Sequence, residues 1–121
     1  MDTSKQRIIQ ELVPGKQITL AHIIANPDAS LHEQLSLRDF ELTPAVRVSA
    51  IGIMTITPPE TAIIVADIAI KSAGVRLASL DRASGSLIVS GTVSEVEAAF
   101  IAILEYVGRE LDFEVCKLTR T

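Results

Sequence analysis

In this 121-residue sequence a reacting nucleophile or a bound metal would fall to Cys116, His22 and His32, the sole cysteine and the two histidines. A catalytic thiol needs a neighbouring base and donors for the developing oxyanion. Cys116 instead ends Phe113-Glu114-Val115-Cys116, which reads as a strand, and packing is the expected fate of such a thiol. A lone cysteine forms no internal disulfide, which fits a reducing compartment. His22 lies in a strand pattern and His32 in a helix pattern, each without a second His or Cys at ligand spacing, so no metal site is expected. Neither G-x-x-x-x-G-K-[ST] nor G-x-G-x-x-G occurs. The glycines at 74, 85, 91 and 108 mark turns or element ends, and Gly52, inside a strand pattern, signals close packing. These residues assign no catalytic, cofactor-binding or metal-binding role, and the expectation is a protein that is not an enzyme.

The elements that would have to position such a site are aliphatic. Hydrophobic residues make up 48% of the chain, yet only Phe40, Phe100, Tyr106 and Phe113 are aromatic. This length predicts one domain, and one so small hides this much aliphatic surface poorly, which points to self-association. The net charge of −4 and the absence of a Lys/Arg run argue against nucleic acid. The longest uncharged stretches, Val48 to Pro59 and Thr61 to Ala66, fall short of the roughly 20 residues that span a bilayer. Met1 to Lys5 lacks a signal-peptide apolar core, so a cytoplasmic protein without a membrane partner is expected.

From Ala50 the pattern is regular. Ala50 to Ile56 reads as a buried strand, and Thr57-Pro58-Pro59-Glu60 as a capping box opening a helix that runs to about Ala73. Gly74 is expected to close that helix in the left-handed conformation. Ala62, Ala66, Ala69 and Ala73 form a small-residue stripe for close approach, and Asp67 and Lys71 an i,i+4 ion pair. Val75 to Leu80 and Ser86 to Ser90 read as strands joined by the turn Asp81-Arg82-Ala83-Ser84-Gly85. Thr92 to Glu95 is a second capping box, before a helix with apolar positions Val96, Ala99, Phe100, Ile103, Leu104 and Val107. Gly108 marks its expected end, and Leu111 to Leu118 a closing strand. The order βαββαβ predicts an α+β, ferredoxin-like antiparallel sheet with helices on one face.

The first 49 residues exceed that core. Arg7-Ile8-Ile9-Gln10-Glu11-Leu12-Val13 reads as a strand, Pro14-Gly15 as a turn and Gln17 to Ala25 as another strand. Asn26-Pro27-Asp28 interrupts the chain, Asp28 heads a short helix on which Leu31 and Leu35 share a face, and Leu37 to Val48 is an irregular connection.

Ala50 to Ile56, the helix with Ala66-Asp67 and Lys71-Ser72-Ala73, and Gly91 to Ala99 together resemble the bacterial microcompartment (BMC) shell domain. Arg7 to Glu11, Val13 to Gln17, Thr19 to His22 and Leu80-Asp81-Arg82 are similar to the circularly permuted branch of ethanolamine-, propanediol- and choline-utilisation shells, the EutS, PduU and CutR type. The resemblance implies a structural tile, a flat cyclic homo-hexamer in a cytoplasmic microcompartment shell, with residues 1–16 as an arm and 17–121 as the BMC core. In it His22 to Pro27 and the short helix, which end ordinary BMC domains, come first. Six arms, each contributing Arg7 to Val13, would form a six-stranded parallel β-barrel over the pore, which Ser84 and Gly85 would frame. Lys71 would lie at the hexamer edge, where Asn26 replaces the arginine of ordinary shell domains. Partners would be copies of itself, other shell proteins and targeting peptides of encapsulated enzymes, with no cofactor. The chain departs from the family at Ala83, where phenylalanine is frequent. The alternative is a ferredoxin-like regulatory module holding a small metabolite at a subunit interface, which requires convergent polar groups that the sequence does not display. A small enzyme ranks below both.

Overall fold

The computed structural model describes residues 15–34 and 49–121, and the architecture is built outward from one strand. In β2 (Ala50–Thr57), Ala50, Ile51, Gly52, Met54 and Ile56 are all buried. It is antiparallel to β1 (Gln17–Ala25) on one side and to β4 (Ser86–Gly91) on the other. The hairpin partner of β4 is β3 (Arg76–Asp81), and the two-residue strand β5 (Thr119–Arg120) lies outside β1, giving the order β3-β4-β2-β1-β5. A short helix α1 (Ala29–Gln34) follows β1.

Helices α2 (Thr61–Ser72) and α3 (Val93–Glu110) pack on one face of this sheet. The alanine stripe lies against the core: Ala62, Ala66 and Ala69 are buried and Ala73 is partly so. On α3 the buried positions are Val96, Ala99, Phe100, Ile103 and Val107, with Leu104 at the margin. Gly52 is where α3 comes closest to the sheet: a Cβ there would stand 2.6 Å from Val96 Cγ1 and 2.7 Å from Phe100 Cζ. The close contact expected of a glycine inside a strand is therefore with α3.

Several element ends differ from the sequence reading. No capping box forms at Thr57, which remains in β2. The amides of Thr61, Ala62 and Ile63 bond instead to the carbonyls of Pro58, Pro59 and Glu60, so tight i→i+3 turns satisfy the first turn of α2. Gly74 is not left-handed: α2 ends at Ala73 in extended conformation, and a Cβ on Gly74 would lie 2.6 Å from Glu95 Oε2. Gly108 does not end α3, which continues to Glu110 and stops where Asp112 takes φ 59. The second capping box is present: Thr92 Oγ1 accepts from Glu95 N–H at 3.1 Å, and Glu95 Oε1 accepts from Thr92 N–H at 2.9 Å.

Leu111 to Leu118 is not a strand. The ladder position beside β2 is already filled by β1, so the last segment joins the outer edge of β1, in parallel. It does so at Glu114 opposite Gln17 and again at β5, which makes the sheet mixed rather than wholly antiparallel. The expected strand Arg7 to Val13, Pro14, Leu35 and the connection from Leu37 to Val48 lie outside the described residues. Among the described residues no helix is long and apolar enough to cross a membrane.

Candidate functional site

The sheet sorts the residues singled out from sequence to two opposite ends. At one end the β3–β4 turn is organised by Asp81, whose Oδ1 accepts from the amides of Ala83 at 2.9 Å and Ser84 at 3.3 Å. The amide of Ala83 first, then the hydroxyl and amide of Ser84, hold its carboxyl below the usual carboxylate range. Gly85 closes the turn at φ 79, donating to Asp81 O at 2.8 Å and accepting from Ile56 N–H at 2.9 Å. A side chain there would run into the Ile56 carbonyl, so the position is confined to glycine by conformation and by space. Ser84 Oγ lies 3.0 Å from Ser86 Oγ and is exposed. Gln17, the first residue of β1, pairs with Thr57 at this same end.

At the other end Asn26 follows β1 with φ 51, its amide on the Ser49 carbonyl at 2.7 Å, and Ser49 donates to Gly91 at 3.0 Å. α2 finishes at this end. Lys71 Nζ is 2.8 Å from Asp67 Oδ2, both exposed, and the hydrogen bond and charge of Asp67 raise the lysine's pKa. Eight residues of β2 separate the two ends, which at the usual strand rise is roughly 25 Å. Ser84 and Gly85 are thus together, Lys71 and Asn26 share the far end, and Arg7 to Val13 are not described.

Sequence reasoning missed two features of these surfaces. Asp81 organises the turn, and the signal was its position four residues before Gly85. Ile63, Ile64 and Ile70 are about half exposed on the outer side of α2, around the Asp67–Lys71 pair, so the helix is apolar beyond what its own core uses.

The chemistry-bearing residues do not converge. Cys116 is half-buried and free. His22 Nδ1 is 2.6 Å from Thr119 Oγ1 and Nε2 is 2.9 Å from Thr121 Oγ1, so both ring nitrogens are engaged, while His32 lies in α1. No group of three potential metal ligands occurs among the described residues. A shallow cavity of about 360 Å³ opens among Lys16, Pro58, Ile64 and Phe113, with Lys16 Nζ 5.8 Å from the Phe113 ring centre. Its acidic lining, Glu110 and Asp112, is on the rim at the end of α3.

Turn at one end, charged helix end at the other and an apolar outer helix face between them are features of a structural module that meets neighbours. Residues 50–118 match the BMC domain family. The microcompartment shell protein EutS of Salmonella typhimurium is 48% identical over 118 residues, spanning 98% of this chain and 99% of that protein. The shell protein PduU of the same organism is 49% identical over 115 residues, spanning 95% and 93%. A solved structure described as a CutR flat hexamer is 44% identical, with a TM-score of 0.77, over 95% of this chain and 99% of that one. The chain belongs to the BMC domain family of bacterial microcompartment shell proteins, and its role is structural rather than enzymatic. The regulatory, metabolite-binding alternative is not favoured.

Proposed function

We propose that the chain is a circularly permuted tile of a microcompartment shell, a cyclic homo-hexamer with Ser84 and Gly85 toward the axis and Lys71 and Asn26 at the rim. The observation that carries this reading is the placement of these pairs at opposite ends of a sheet roughly 25 Å long, in a chain similar to a flat hexamer. Permutation is supported by β1, a strand from the front of the chain, occupying the place beside β2 where the closing strand of a βαββαβ core is expected. The whole chain forms a single domain, 17–121 the core and 1–16 the arm.

The arm starts beside the Asp81–Gly85 turn, since Gln17 pairs with Thr57 and Gly85 bonds to Ile56. Six arms leaving from that end would meet around the axis, where Arg7 to Val13 pair edge to edge as a six-stranded parallel barrel and occlude the pore. Other shell proteins meet the rim, and the barrel is the surface offered to targeting peptides of encapsulated enzymes. The compartment is cytoplasmic.

Size-exclusion chromatography with light scattering tests the ring: a mass six times that of the 13.0 kDa chain is expected. A monomer at micromolar concentration would end the tile reading. For the barrel, deletion of residues 1–14 is expected to leave the hexamer intact and abolish cargo-peptide capture, whereas unchanged capture removes the docking role.

A further inference from the structure

The segment 114–121 crosses the outer edge of β1 with little burial to hold it. The last buried side chain is Phe113, and none from Glu114 to Thr121 is buried. Its backbone pairs with β1 at two separated places. Glu114 donates to Lys16 O at 2.9 Å and accepts from Ile18 N–H at 2.8 Å, and beyond β5 Thr121 donates to Ile23 O at 2.9 Å. Residues 115–118, between them, are in no strand.

What fixes the far end is His22. Thr119 Oγ1 lies 2.6 Å from His22 Nδ1 and 3.3 Å from Ala21 O, within hydrogen-bond reach of both. Nε2 is hydrogen-bonded to Thr121 Oγ1 at 2.9 Å. One imidazole on β1 thereby grips two hydroxyls, two residues apart, on the same side of the crossing segment.

We propose that segment 114–121 is a strap that opens from the β1 edge while the rest of the domain stays folded, with His22 as its fastening. Locally opening units are those with few buried apolar contacts and few backbone bonds; here only Cys116 and Leu118 reach the core, both half-buried, and residues 115–118 lie outside any strand. An uncovered strand edge is a template for pairing with another chain, so the strap also governs when the edge of β1 is available.

Cys116 lies in the middle of the strap and reports its opening through the rate at which a thiol reagent labels the intact assembly. The double variant Thr119→Val/Thr121→Val keeps shape but removes both hydroxyls. Its labelling rate is expected to rise roughly tenfold, as loss of one or two hydrogen bonds implies, and to depend only weakly on denaturant below the unfolding transition. Thr119→Ser/Thr121→Ser keeps both hydroxyls and the parental rate. Parental labelling in the valine variant would overturn the proposal. So would labelling that rises with denaturant as steeply as global unfolding does, since Cys116 would then be reached only by global unfolding.

Discussion

Asp81 does more for the candidate pore turn than the exposed Ser84 beside it, because its carboxylate accepts the amides of Ala83 and Ser84 and so fixes the turn before Gly85 reverses the chain. Its pKa is depressed in the folded state, so its stabilising contribution is present above the ordinary carboxylate pKa of about 3.9 and is lost as pH falls through the lower folded value. On acid titration the Ala83 and Ser84 amides are expected to stay slow to exchange at pH 4 to 5 and to quicken only below that range. Asp81→Asn should remove the acid transition, because its amide oxygen does not titrate. Quickening already at pH 5 in the parent would contradict the assignment. The turn residues were legible as a turn, but which one organises it was not, since composition names the turn-formers without showing whose oxygen meets which amide.

At the scale of elements, two sequences that read alike behave differently. Thr57-Pro58-Pro59-Glu60 and Thr92-Val93-Ser94-Glu95 share the capping-box spacing, yet only the second forms the box. Thr57 is held in β2 by pairing with Gln17, and the carbonyls of Pro58, Pro59 and Glu60 take the amides of Thr61, Ala62 and Ile63, so the first turn of α2 closes without the Thr57 hydroxyl. Thr92→Ala is therefore expected to cost about 1 kcal/mol, whereas Thr57→Ala should fall within about 0.5 kcal/mol of the parent, both by denaturant unfolding. Equal losses would mean that both boxes operate. The strands around the core and the buried face of α3 were legible because their periods are short-range properties of the chain. The last strand was not: Phe113 to Leu118 has the apolar content of a strand, but whether it forms one depends on β1, far earlier in the chain, having taken the place beside β2. Gly74 and Gly108 misled for a related reason. Gly74 lets the Glu95 carboxylate approach, and Gly108 lies within α3, where an added Cβ would meet Val115 only at ordinary contact distance, so neither glycine marks its helix end.

For the whole molecule, the half-exposed Ile63, Ile64 and Ile70 on α2 surround the Asp67–Lys71 pair, and in the proposed tile both would face neighbours. Aliphatic surface supplies area without direction, and a single exposed lysine supplies direction without much area, so the two act at different levels of assembly. In the proposed tile the ring forms through broad apolar and backbone contacts and is insensitive to one rim charge. Ring-to-ring contact in that tile is narrower and falls on Lys71. Lys71→Ala is accordingly expected to leave the hexameric mass unchanged by light scattering and to abolish extended sheets under the electron microscope, while Lys71→Arg keeps them. The exposed Asp67–Lys71 bond is screened by salt, and the alanine variant frees Asp67, so Asp67→Ala serves as the control: loss of the ion pair alone should leave sheets in place. If Asp67→Ala and Lys71→Ala abolish sheets equally, the pair matters as a unit of helix structure and Lys71 is not the rim contact; if neither does, lateral assembly runs through the isoleucines alone.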